Sequence, residues 1–196
     1  MELLKDRIRR DGRVLGKDIL KVDRFLNHQM DVSFISELGR EFFRRFKDCG
    51  VNKILTIEAS GIGIACLTAT FFDVPVVFAK KNRTANLPDD MWMSRADSFT
   101  QGRTYDILVS REFLHPSDRV LLIDDFLANG HALSALIDLV AQAGGTVVGA
   151  GIVIEKTYQP GGTRIRERGV RVESLAQIQY MNEEQGVVFC PSDSAL

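Results

Sequence analysis

The stretch that most restricts the fold of this chain is residues 120–132, Val-Leu-Leu-Ile-Asp-Asp-Phe-Leu-Ala-Asn-Gly-His-Ala. Four apolar residues without alternation read as a buried strand, and such strands are mostly parallel. Asp124 and Asp125 then sit at the carboxyl end of that strand, where ligands of open α/β sheets collect. Small residues around Gly130 follow, and then a helical pattern of Leu133, Leu136, Ile137, Leu139 and Val140. A helix N-terminus offers free N–H groups and the positive end of a dipole, which suits a phosphate. Two acids beside a phosphate cradle are compatible when the ligand is a sugar phosphate. The carboxylates can then accept hydrogen bonds from ribose hydroxyls, and residues 128–132 are expected to hold the phosphate through backbone N–H groups and the Asn129 side chain. The plainer alternative is a carboxylate pair that caps the turn.

The flanking sequence supplies the sheet. Residues 54–57 (Ile-Leu-Thr-Ile) predict a strand, Glu58-Ala59-Ser60-Gly61 a tight turn, 62–72 a helix and 74–79 a second strand, with Pro75 near its start, where proline is tolerated. Strand, helix and strand at this spacing form a βαβ unit. Helices are expected over 2–11, ended by Gly12, and over 32–48, capped by Asp31 and ended by Gly50. Residues 13–30 read as irregular to extended. Residues 80–104 show no apolar periodicity and predict a structureless insert, usually a functional lid or a disordered segment. Residues 105–110 alternate like a half-exposed strand that pairs with 112–114. After strand 119–123 and helix 131–142, further strands are expected over 146–154, 170–175 and 187–189, with a short basic helix over 163–168. The fold class is α/β, a mostly parallel central sheet flanked by helices.

Composition excludes several functions. Among 196 residues the net charge is −1 with no basic block, so a nucleic-acid footprint is missing. No apolar run approaches the ~20 residues of a membrane span, and the charged N-terminus lacks a signal-peptide core. Cys49, Cys66 and Cys190 are odd in number and widely spaced, which reads as reduced thiols in a cytoplasmic protein. Gly61-x-Gly63 raises dinucleotide binding. That fingerprint wants Gly or Ala where Cys66 stands and an acid where Lys80 and Lys81 stand.

The strand, acid pair, two apolar residues and short loop resemble the PRPP-binding motif of the type I phosphoribosyltransferases (PRPP is 5-phosphoribosyl 1-diphosphate). Asn129 and His131 depart from the hydroxyl-rich loop common in that family. Residues 123–130 (Ile-Asp-Asp-Phe-Leu-Ala-Asn-Gly), 152–156 (Ile-Val-Ile-Glu-Lys), 25–29 (Phe-Leu-Asn-His-Gln) and 172–176 (Val-Glu-Ser-Leu-Ala) are together similar to the branch acting on xanthine in bacterial purine salvage. The resemblance runs from about residue 1 to about residue 188. It implies a single domain, 1–196, with a small hood from residues 1–30 and about 160–190, and a flexible lid over 80–104. It implies transfer of a phosphoribosyl group from PRPP to N9 of xanthine, with release of diphosphate.

The resemblance also assigns roles. Asp124 and Asp125 are the catalytic acids. Ala128, Asn129, Gly130, His131 and Ala132 bind the 5′-phosphate of PRPP. Glu58, Ala59, Ser60 and Gly61 hold the diphosphate on a loop that is often strained or cis in the family. Lys81 or Lys80 neutralises it. Leu20, Asn27 and Lys156 line the base pocket, and Phe126 is a candidate both for stacking on the base and for the core. Mg²⁺ is expected on the diphosphate with no direct protein ligand, and a homodimer is expected. Neither His28 nor His131 is assigned as a general base. The nearest rivals are the same chemistry on hypoxanthine or guanine, and a non-catalytic PRPP sensor. The sensor normally carries a DNA-binding appendage, for which about 30 residues before the second helix leave no room.

Overall fold

The structure is a computed structural model that describes residues 1–81, 90–98 and 103–191. The chain runs α1 (Glu2–Asp11), β1 (Arg13–Leu15), β2 (Ile19–Lys21), a π-helical turn (Asp23–Asn27), α2 (Val32–Phe46), β3 (Lys53–Ile57), α3 (Ser60–Phe72), β4 (Val76–Lys81) and β5 (Met91–Ser98). It continues with β6 (Arg103–Ser110), a 3₁₀ turn (Arg111–Phe113), β7 (Arg119–Leu127), α4 (His131–Gln142), β8 (Thr146–Lys156), α5 (Gly161–Glu167), β9 (Val172–Asn182) and β10 (Gly186–Phe189). Eight strands form one sheet in the order β10-β9-β8-β7-β3-β4-β6-β5. The five central strands from β9 to β4 are parallel; β10, β6 and β5 join antiparallel.

The apolar runs explain this layering. Val120, Leu121, Leu122 and Ile123 are fully buried because β7 lies between β3 and β8 with both faces covered. Leu121 and Ile123 pack with Phe34, Ile35, Leu38 and Phe42 of α2 and Ile64 and Ala65 of α3 on one face. Val120 and Leu122 pack with Leu133, Leu136, Leu139 and Val140 of α4 on the other. Asp31 caps α2, its carboxylate accepting from Phe34 N–H at 3.1 Å. Gly50 takes a left-handed conformation, φ 65°, after one 3₁₀ turn beyond α2.

The β1–β2 ribbon stands apart from the central sheet. With α1 it packs against β9 and β10, and the Met1 amino group donates to the Leu175 carbonyl at 2.6 Å. The N-terminal and C-terminal segments thus cover one end of the sheet together, β9 and β10 being themselves part of it.

Two expectations are corrected. Residues 91–98, expected to be structureless, form an edge strand paired along its length with β6. Its alternation was hidden because Trp92 and the methionines are mixed with polar residues on a half-exposed strand. Trp92 donates to the Leu114 carbonyl at 3.3 Å, and Gln142 of α4 donates to the Met93 carbonyl at 2.9 Å. Residues 111–113 form a 3₁₀ turn, so β6 pairs with β5 and β4 and not with 112–114. The rest of the expected lid, 82–89 and 99–102, lies outside the described residues. Among the described residues, no helix is long and apolar enough to cross a membrane. The cysteines form no disulfide.

Candidate active site

Four parallel strands bring their carboxyl ends together: Ile57 of β3, Lys81 of β4, Asp124 to Leu127 of β7, and Lys156 of β8. The strand β7 runs through the acid pair and not merely up to it, and the two carboxylates stay close enough to hydrogen-bond to one another. Asp125 accepts from Asn27 Nδ2 at 3.0 Å, which ties it to the N-terminal π-helical turn. Asp124 lies toward the turn that opens α3; a side chain on Gly61 would come within 3.5 Å of its Oδ1 and 2.1 Å of Thr56 Oγ1. Both acids are nearly sealed from solvent, at 6% and 9% exposure. Asp125 N–H donates to Asp124 Oδ1 at 3.0 Å. Burial, and after it the neighbouring charge of Asp125, pushes the Asp124 carboxyl well above the usual carboxylate range.

The turn before α3 has a cis peptide between Glu58 and Ala59. Its backbone is held by Glu58 N–H to the Ala79 carbonyl at 3.0 Å, and the Glu58 carboxylate accepts from Lys81 N–H. Lys80 and Lys81, adjacent on β4, point to opposite faces. Lys81 stands 5.8 Å from the Tyr105 ring and its charge bears on Asp124, whereas Lys80 lines a cavity of about 540 Å³. That cavity is lined also by Val76, Phe78, Leu108 and Phe113, and neither acid borders it. The chemistry lies with the titratable groups, and the largely apolar cavity is not their site. Among the described residues no group of three or more His, Cys, Asp or Glu is placed to hold a metal ion.

Residues 128–130 join β7 to α4, whose first residues are His131 and Ala132, with Gly130 at φ 78° immediately before the helix. A side chain there would be strained and would meet Gly161 at 2.9 Å. Gly161 N–H donates to the Ala128 carbonyl at 2.9 Å, and Arg164 Nη1 donates to the Asn129 carbonyl at 2.6 Å. The helix α5 is itself fixed to β8 and β9: Glu155 receives a two-pronged bond from Arg166 at 2.7 and 2.9 Å and further bonds from Ser174 and Gln177. Burial alone would raise the Glu155 carboxyl, but these donors outweigh it and hold it below its usual range.

Lys156 lies 5.6 Å from the Phe126 ring and donates to the Asp18 carbonyl on the turn between β1 and β2. Burial lowers its pKa, partly countered by the charge of Asp18. Burial and Asp18 push the nearby Tyr158 hydroxyl up to about 12. Leu20, two residues beyond Asp18, is buried in the core, and Phe126 is half-buried against the same cluster. The structure thus gathers Asn27, Asp125, Phe126 and Lys156 near the mouth, with Leu20 beneath the ribbon. Tyr105, Arg164, Asp18 and Tyr158 were not singled out from sequence. They reach the crevice from β6, α5, the ribbon and the β8–α5 turn, and no local pattern marks them.

A parallel sheet with an acid pair between two small-residue loops, each opening a helix, defines a sugar-phosphate transferase. Residues 34–171 match the family model of the phosphoribosyl transferase domain, and the chain belongs to that family. The xanthine phosphoribosyltransferase of Lachnoclostridium phytofermentans is 58% identical over 193 residues, 98% of this chain and 100% of that one. That of Ruminiclostridium cellulolyticum is 55% identical, covering 92% of this chain and 95% of its own. Among solved structures, the APRTase of Giardia lamblia complexed with 9-deazaadenine superposes with a TM-score of 0.76 at 22% identity, over 89% of this chain and 97% of that one; this likeness establishes the fold.

Proposed function

We propose that this protein transfers the phosphoribosyl group of PRPP to N9 of xanthine, giving xanthosine 5′-monophosphate and diphosphate in purine salvage. The observation that supports the reading is the convergence on one crevice of an acid pair, two small-residue loops that lead into helices, and the side chains of Asn27, Phe126 and Lys156. The names of the full-length relatives supply the base. Residues 128–132 take the 5′-phosphate, Asp124 and Asp125 the ribose hydroxyls. Glu58 to Gly61 and Lys81 take the diphosphate, and Lys81 offsets the charge that develops there. Lys156 donates to the exocyclic 6-oxygen, Asn27 meets the pyrimidine edge, and Leu20 and Phe126 bound the ring.

Mg²⁺ belongs to the same reading. Among the described residues no group of three or more His, Cys, Asp or Glu is placed to ligate the ion directly, so it would be held through the diphosphate, beside Glu58 to Gly61 and Lys81, and would supply charge neutralisation there. The chain's own work is to position the two substrates and to shield the reacting carbon from water. Little proton transfer is needed when the leaving group is already anionic. A homodimer and a cytoplasmic location complete the reading; the homodimer is checked by sedimentation at two concentrations. The deciding assay is diphosphate release from PRPP and Mg²⁺ with xanthine, guanine, hypoxanthine and adenine in turn. Fastest turnover with xanthine is expected. Preference for another purine would keep the PRPP site and discard the base assignment, and binding of PRPP without turnover would make the protein a sensor.

A further inference from the structure

The phosphate loop does not hold its own shape. Two successive carbonyls, Ala128 and Asn129, are both engaged by α5, one by Gly161 N–H at 2.9 Å and one by Arg164 Nη1 at 2.6 Å. A trans peptide is planar, with its C=O and N–H antiparallel. Fixing these carbonyls on the α5 side therefore turns the N–H groups of Asn129 and Gly130 to the opposite side. Arg164 is half-buried, stands 3.5 Å from His131 Nε2, and spans the loop at the point where α4 begins. Its helix is anchored by the bond between Arg166 and the buried Glu155, so the guanidinium is delivered from a fixed base.

We propose that Arg164 is a positioning residue for the 5′-phosphate loop: it holds the Asn129 carbonyl on the α5 side so that the loop's N–H groups face the phosphate of PRPP. The proposal rests on the reading of residues 128–132 as the 5′-phosphate site. One nitrogen, Nη1, makes both contacts, to the Asn129 carbonyl and toward His131, and arginine's planar, weakly hydrated guanidinium holds such a half-buried position at less cost than a strongly hydrated lysine ammonium. Its positive charge also lies on the loop that takes a dianion. The residue acts on one substrate: α5 bears on the phosphate loop, while the base-edge residues come from the ribbon, the π-helical turn, β7 and β8, and Arg164 touches none of them.

The test uses the full chain with Arg164→Gln, Arg164→Lys and, as control, Arg168→Gln, which loses bonds to the Ser134 carbonyl and Asp138 but touches no loop residue. Initial rates are measured with PRPP and with xanthine varied, and PRPP binding with Mg²⁺ is titrated calorimetrically in the absence of base. Losing one charge-assisted hydrogen bond should raise the KM and Kd for PRPP in Arg164→Gln roughly ten- to hundredfold. The KM for xanthine and kcat should stay within about twofold, Arg164→Lys should recover part of the loss, and Arg168→Gln should match the parent. Unchanged PRPP affinity in Arg164→Gln, or an equal rise in the KM for xanthine, overturns the proposal. If the Gln variant does not fold, the same split in Arg164→Lys supports it and parental PRPP affinity there overturns it. A parent that binds PRPP but turns over no purine defeats the proposed function, while the titration still decides the role of Arg164.

Discussion

Replacing Gly161 by alanine perturbs the site without altering any group that meets substrate. A Cβ built at Gly161 lies 2.3 Å from the Ala128 carbonyl oxygen, 2.7 Å from Gly130 N and 2.9 Å from Asn129 C, all backbone atoms of the loop proposed to take the 5′-phosphate. Ordinary contact begins at 3.4 Å, so α5 and the loop must part by about 1 Å. Neither side yields freely, because α5 is bound to β8 through Glu155 and Arg166 and the loop is tethered between β7 and α4. A misplacement of about 1 Å can cost on the order of a hundredfold in rate. Sharing it between α5 and the loop leaves an expected loss of roughly ten- to hundredfold in kcat/KM for PRPP. Overpacking should also lower stability by about 1–3 kcal/mol. Initial rates at varied PRPP, with a thermal melt to confirm folding, measure both. Gly169→Ala is the control. Unlike Gly161 it sits at positive φ, 76°, but a side chain there meets nothing within 4 Å, so it should cost stability and leave the PRPP dependence intact. A folded Gly161→Ala protein with parental kcat/KM for PRPP would refute the coupling of α5 to the loop.

Asp124→Asn should lower turnover by about two to three orders of magnitude and yet raise the melting temperature at neutral pH. The sign follows from the raised pKa. The carboxyl's contribution to stability is full below its unfolded value near 3.8 and is lost as pH rises through the folded one, so the gain over the parent should vanish in melts below about pH 4. Asp118→Ala should cost about 3–5 kcal/mol in denaturant titrations, because it strands the buried Lys53 ammonium now 2.7 Å away, while kcat at 25 °C stays parental. Glu41, held down to about 2 chiefly by Arg44 and then by Arg45, stabilises the fold above its unfolded value of 4.5 and loses that contribution as pH falls toward 2. Glu41→Gln should therefore melt lower than the parent at pH 7 and converge with it near pH 2.

The elements with strong local signals were legible. The apolar run before Asp124 implied a buried parallel strand, the small residues around Gly130 a turn into a helix, and α4 begins and ends at the expected residues, His131 and Gln142. The cap at Asp31 and the left-handed Gly50 followed from side-chain and backbone chemistry that is local to the turn. The strand β5 was not legible, because an edge strand needs no continuous apolar face. Its alternation was diluted by Ser94, Arg95 and Asp97.

The sequence by itself determined what each segment wants locally: period, caps, turns and the carboxylate pair at the end of a buried strand. These depend on residues within one turn or one strand of each other. Only the tertiary structure decided that Asn27 reaches Asp125 across 98 positions, that Lys81 and not Lys80 faces the acids, and that Arg164 on a seven-residue helix grips the Asn129 carbonyl. Such pairings depend on sheet order and on which face of a strand meets which helix. Their free energy arises where distant segments exclude water together, and no window of neighbouring residues carries that information.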